Sequence, residues 1–242
     1  YLQRREARDA PAIKRLSDLD AIYRHLRQCF YAFRGALARP EQRAAVVQAR
    51  QRIDALMAVP TTLVDTLLAR HAGLQGVMLQ LGHLPCLFPA TEGVPLALSQ
   101  QAFHQFLATL QDAAPGQGLA GLFWKRDAGA GRQHVIHVAA LYSDTRQSVE
   151  QRRRALADHW IHPITRGEGV AYRLPPTSYN RQHLLTPDLD WVAADGPAKH
   201  DALLQQLQAL IAMDRLTYLA LPDNAPGMGT WRPDTATPPF PS

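Results

Sequence analysis

Two histidines, His134 and His137, open an apolar run that continues to Tyr142 (GRQHVIHVAALY, residues 131–142). An imidazole pair at the mouth of a strand can hold a divalent cation, or it can be two ordinary strand histidines. The spacing matters. Residues two apart on a strand share a face, whereas residues three apart point to opposite faces. Only a β-bulge inside the pair would bring both rings to one ion. The alternative leaves one imidazole exposed at the hairpin and hydrogen-bonds the other in the core. Hard cations prefer oxygen, so Asp127, Asp144 and Glu168 are the carboxylates to consider beside a single histidine.

Cations and an aromatic gather nearby. Trp124-Lys125-Arg126 mixes an indole with two positive groups, with Arg132 in the loop that follows. Such a stretch can stack a base and hold its phosphate. It equally suits a strand with Trp124 in the core and the charges at its end. Arg152-Arg153-Arg154 can neutralise phosphates or form a solvated helix face. His159 and His162 share a helical face around Trp160, but Pro163 follows at once and no thiol is close.

Several chemistries are excluded by pattern. Gly129-Ala130-Gly131 lacks the helix and Lys-Ser/Thr of a phosphate loop, and no Gly-x-Ser-x-Gly elbow occurs. The chain has two cysteines, Cys29 and Cys86, too few for a disulfide framework or a thiolate zinc site. Their apolar neighbours predict buried thiols in a reducing, cytoplasmic setting. No apolar run is long enough to span a membrane, and no secretory signal is visible. Lys+Arg exceed Asp+Glu by 26 to 21, and lysine occurs only at Lys14, Lys125 and Lys199. An arginine-dominated excess suits an anionic partner such as nucleic acid.

The elements that must position these groups follow from periodicity. Residues 1–72 read as two or three helices, with Leu16, Leu19, Ile22, Tyr23, Leu26, Phe30 and Phe33 at helical spacing and Arg4, Arg5, Arg8, Lys14 and Arg15 outward. They form a helical N-terminal accessory region. Residues 76–81 read as a buried strand. Ser99 is positioned to cap a helix through Leu110. Residues 119–126 and 134–142 form a hairpin around a loop at 127–132. A helix through Val149, Leu156 and Trp160 precedes a strand at 170–174. Residues 176–198 read as loop, and a last helix runs from about Pro197 to Arg215. The Pro- and Gly-rich segment from Pro222 reads as irregular. The result is α+β: an antiparallel sheet core flanked by helices over residues 73–232, with a Pro-rich tail at 233–242.

This order of features resembles the replication initiation proteins of filamentous phages, within the HUH endonucleases that start rolling-circle replication of phages and mobile elements. The likeness covers roughly residues 74–232. It is carried by Phe123-Trp124-Lys125-Arg126, by His134 to Asp144, by the helix with Trp160, by Tyr172-Arg173-Leu174, and by Tyr218-Leu219-Ala220 ahead of Gly227-Met228-Gly229-Thr230-Trp231-Arg232. The resemblance implies DNA nicking. His134 and His137 would hold Mg²⁺ or Mn²⁺, and Tyr218 would attack a phosphate of single-stranded or hairpin DNA, with Tyr172 and Tyr179 as alternative nucleophiles. Host replication proteins would be further partners. Two positions depart from the family pattern. The family has one residue between its histidines, so Val135 stands where a ligand is expected. Leu221 stands where a lysine often follows the tyrosine, leaving Arg215 as the nearest cation. Two other readings therefore stay open: a catalytically degenerate DNA-binding protein on the same scaffold, and a helical protein-interaction module built on the first third.

Overall fold

The computed structural model describes residues 22–32, 34–35, 38–89, 93–129, 133–172, 191–212 and 227–234. The chain divides into two compact units, Tyr1–Arg52 and Ile53–Ser242. In the first, helix α1 (residues 22–32) and most of α2 (Pro40–Leu56) are described. Ile22, Tyr23, Leu26 and Phe30 of α1 have the expected spacing and are each more than half exposed. The basic positions from Arg4 to Arg15 lie outside the described residues.

The second unit begins before the expected boundary. Helix α3 (Ala58–Leu68) buries Leu63, Val64 and Leu67 in a core shared with the sheet, so it belongs to this unit rather than to an accessory region. The chain then runs through β1 (Gly73–His83), α4 (Leu96–Leu110), β2 (Leu119–Gly129), β3 (Gln133–Tyr142), α5 (Val149–His159), β4 (Gly169–Tyr172), β5 (Val192–Ala193), α6 (Pro197–Ala212) and β6 (Met228–Trp231). The strands pair antiparallel in the order β4-β1-β3-β2-β6, and β5 joins the far end of β1. The fold is α+β.

Strand alternation sorts the side chains into two cores. On one face Val77, Leu79, Leu81, Leu122, Trp124, Ile136 and Val138 pack with Phe103 and Phe106 of α4 and Leu156 of α5. On the other, Leu74, Phe123, Ala139 and Leu141 pack with α3 and with Leu203, Leu207 and Ile211 of α6. Both faces are covered, which is why β1 is an almost unbroken apolar run. The entry of α5 is fixed by Ser148: its hydroxyl accepts from the Gln151 N–H at 3.2 Å, and Gln151 Oε1 accepts from the Ser148 N–H at 2.8 Å. A π-helical turn, Trp160–Ile164, absorbs Pro163 at its end. Trp160 Nε1 donates to the Gly82 carbonyl at 2.9 Å and ties this turn to β1.

Four expectations need correction. Ser99 is not the cap of α4: the helix starts after Pro95, and Ser99 is buried inside it with its N–H bonded to the Pro95 carbonyl. Proline has no N–H to leave unpaired at a helix start. The hairpin loop is shorter than expected, because β2 continues through Asp127 to Gly129. The Pro- and Gly-rich segment contains β6, which pairs along the outer edge of β2. Its Gly229 lies over Trp124, where a Cβ would stand 3.0 Å from the indole. Both cysteines are exposed: Cys29 on α1, and Cys86 in the Pro85–Leu87 turn that leaves β1. Among the described residues, no helix is long and apolar enough to cross a membrane.

Candidate functional site

The pairing of β2 with β3 is regular from Gly121 opposite Leu141 to Gly129 opposite Gln133; its one shift lies at the other end, between Leu119 and Gly121. No bulge realigns the histidines. His134 therefore joins the face of Trp124 and Ile136, and His137 joins the face of Phe123 and Ala139.

His137 stands in a polar row that crosses the sheet. Register places Tyr172 opposite Gln80, Gln80 opposite His137, His137 opposite Lys125, and Lys125 opposite Met228. Directly opposed residues share a face, so four polar side chains from four strands lie side by side. Asp127, two residues along β2, closes the group. Its carboxylate takes the Lys125 ammonium on one oxygen and His137 Nε2 on the other, the latter at 2.8 Å. Gln80 Nε2 lies 3.3 Å from His137 Nδ1. With that amide donating, the neutral ring carries its proton on Nε2 and gives it to Asp127.

Burial makes these contacts count. Lys125 is 1% exposed, His137 is 8% exposed, and Asp127 is the open member with 30% of its side chain reachable. Burial works to raise the Asp127 pKa, but the His137 hydrogen bond and the Lys125 charge outweigh it and hold the carboxyl below its usual range. The site is thus an oriented imidazole, a fixed ammonium and an ionised carboxylate. Tyr172 borders it with its side chain largely in solvent.

The donors fit Mg²⁺ or Mn²⁺ poorly. Among the described residues there is no group of three His, Cys, Asp or Glu able to hold a metal. The one carboxylate of the row is already neutralised by an ammonium that a divalent ion would have to face. His134 is on the opposite face, and Asp144 is engaged by Arg146 and Arg152. Glu168 is exposed on the turn before β4.

The other candidates scatter. Trp124 is fully buried, 5.3 Å from Phe103 in a T-shaped contact. Arg126 is buried on the Trp124 face with no side-chain hydrogen bond among the described residues. Arg152 is buried under Asp144 and stacks 3.8 Å over Tyr142, and Arg153 pairs with Glu150. Arg154 is exposed. With Arg153 and Tyr172 it lines a groove of about 450 Å³ between α5 and the β1–β4 edge, floored by Leu79 and Ala171. His159 contacts Thr109 Oγ1 at 3.0 Å, and His162 is exposed. Arg132, Tyr179, Arg215 and Tyr218 lie outside the described residues.

Gln80 was missed in the sequence. Its signal was a lone amide inside Val77-Met78-Leu79-Gln80-Leu81, at a position whose strand neighbours are apolar. No family model, curated protein or solved structure matches this chain.

Proposed function

We propose that the chain is a DNA-binding replication initiator that works on single-stranded or hairpin DNA in the cytoplasm, with the reacting phosphate brought to the row of Gln80, His137 and Lys125. The observation that carries the reading is His137 on the middle strand of an antiparallel sheet, gripped by Asp127 and flanked by Lys125. A phosphodiester needs a cation at its oxygens and a group that takes up a proton, and this row offers both.

The reaction proposed is transesterification. The Tyr218 phenol loses its proton, its oxygen bonds the phosphorus, and the bond from phosphorus to the 3′ oxygen breaks. The released 3′ oxygen takes a proton, leaving a 5′-phosphotyrosine. A phenol titrates near pH 10, so the base that takes its proton governs the rate; His137 Nδ1 serves in that role once the incoming phenol displaces the Gln80 amide from it, with Asp127 holding the ring through Nε2. The groove beside Arg154 and Tyr172 lies on the α5 face, opposite the row, and supports a hold on the strand at the β4 edge, with cations for phosphates and an exposed ring for a base.

The test is a covalent adduct between the protein and a labelled hairpin oligonucleotide, assayed with and without Mg²⁺ or Mn²⁺. Adduct formation lost in Tyr218→Phe supports nicking. A second reading is a DNA-binding protein without catalysis, and the separation of His134 from His137 favours it. It expects salt-sensitive oligonucleotide binding and no adduct under either condition. No binding at low salt would sink both readings.

A further inference from the structure

A second polar cluster lies on the opposite face of the sheet, away from the His137 row. Arg126 is 2% exposed, and its Nε, Nη1 and Nη2 have no hydrogen-bond partner among the described residues. Its backbone is secured, the N–H donating to Gly227 O at 2.7 Å. Among the described residues its guanidinium carbon lies 6.0 Å from the Trp124 ring centroid, and its charge acts on His134. A guanidinium cannot shed its charge to escape burial. An isolated buried charge is among the costliest features a fold can carry.

Two imidazoles share this end of the face. His134 is two residues from Ile136, the cross-strand partner of Arg126, and points the same way. The pairing of β1 with β3 ends at Leu81 opposite Ile136, and His83 lies two residues further along β1, as His134 lies two residues beyond Ile136 on β3, each on the face of that paired residue. Nδ1 of each ring is buried and unpartnered among the described residues. His83 is wedged between Phe88 and Trp160, at centroid distances of 6.1 and 5.7 Å, so its ring is held. Three strands thus deliver one unpaired cation and two imidazoles with unused nitrogens to one end of one face. No carboxylate among the described residues pairs with Arg126 there.

We infer that Arg126, with His134 and His83, forms a binding site for a phosphate group. The guanidinium presents a fork that matches two oxygens of the anion. The imidazoles approach from neighbouring strands and suit the remaining oxygens of a tetrahedral ion better than a planar carboxylate. The site stands on its own residues and is independent of nicking at His137.

The test uses the whole chain and starts with inorganic phosphate. In wild type, phosphate raises the melting temperature and shifts the ring resonances of His134 and His83, while sodium acetate at equal ionic strength does neither. Arg126→Met removes an uncompensated charge, so it melts higher than wild type in phosphate-free buffer and loses the phosphate response. Arg126→Lys keeps the charge without the fork and weakens phosphate binding by about tenfold or more. A short oligonucleotide with and without a 5′-phosphate separates a terminal phosphate from a backbone one as the source; either shifting His134 supports the site. Three results overturn it: no ring shift in wild type at saturating phosphate, an equal shift with acetate, or an Arg126→Met protein that melts lower than wild type without phosphate. The ring-shift readout needs no variant, so the wild-type protein alone also decides the inference.

Discussion

His134 and His137 lie on opposite faces of β3, three residues apart on a strand whose pairing with β2 is unbroken around them. They therefore do different work. His137→Ala should reduce adduct formation by about a hundredfold or more, the usual loss when a proton-transfer group is removed. His134→Ala should leave adduct yield unchanged while altering the response to phosphate. Parallel adduct and melting assays on the two variants check this. Equal losses in both would show the histidines acting as one unit.

Asp127 holds Lys125, which is almost fully buried. Asp127→Asn keeps the shape and removes the negative charge that faces the ammonium. The expected cost is about 2–4 kcal/mol in urea unfolding, toward the lower end because Asp127 is partly open to water. Lys125→Met in the same background should recover most of it, since a long apolar side chain needs no partner. Failure of the double variant to recover would mean that the methylene packing of Lys125, not its charge, sets the cost.

Buried and half-buried histidines set the acid side of stability. Burial lowers the pKa of His83, His134 and His159 below the ordinary 6.5, with the Arg126 charge adding to the effect at His134 and Glu168 opposing it at His83. The unfolded chain then binds protons before the folded one does. Stability from these groups is complete above about pH 7 and is lost as pH falls through 6.5 toward their lowered values. Asp127, also lowered, extends the loss further into acid. Melting temperature should fall steadily from about pH 7.5 to 5, and His159→Phe should flatten part of that slope. An unchanged slope in His159→Phe would show that its contact with Thr109 stabilises both protonation states alike.

How far these features were legible in the sequence depends on the range of the interaction that fixes them. The helices and the hairpin follow from local periodicity, and α5 follows from the Ser148 and Gln151 pair at its start. The opposite facing of His134 and His137 follows from strand geometry once no bulge intervenes. The polar row was not legible, because Gln80, His137, Lys125 and Tyr172 come from four strands and meet only through register. Asp127 was read as loop because Asp-Ala-Gly composition favours turns, yet pairing with β3 keeps it extended. Ser99 failed as a cap for a similar reason: a good capping residue was available, but Pro95 had already begun the helix.

The strand in the Pro- and Gly-rich segment makes the last prediction. β6 pairs with the outer edge of β2, and Gly229 sits opposite Trp124, whose ring is fully buried and has no room to retreat. A Cβ at Gly229 would meet that ring at 3.0 Å. Gly229→Ala should therefore destabilise the second unit by about 1–3 kcal/mol, the usual cost of overpacking a core. Gly35→Ala is the control: its Cβ would meet nothing within 4 Å, and alanine is the better helix former. Urea unfolding read by tryptophan fluorescence follows Gly229→Ala, and far-UV circular dichroism follows Gly35→Ala, because the four tryptophans all lie in the second unit. If Gly229→Ala unfolds like wild type, β6 is not packed against Trp124, and the edge of β2 beside Lys125 is open rather than paired.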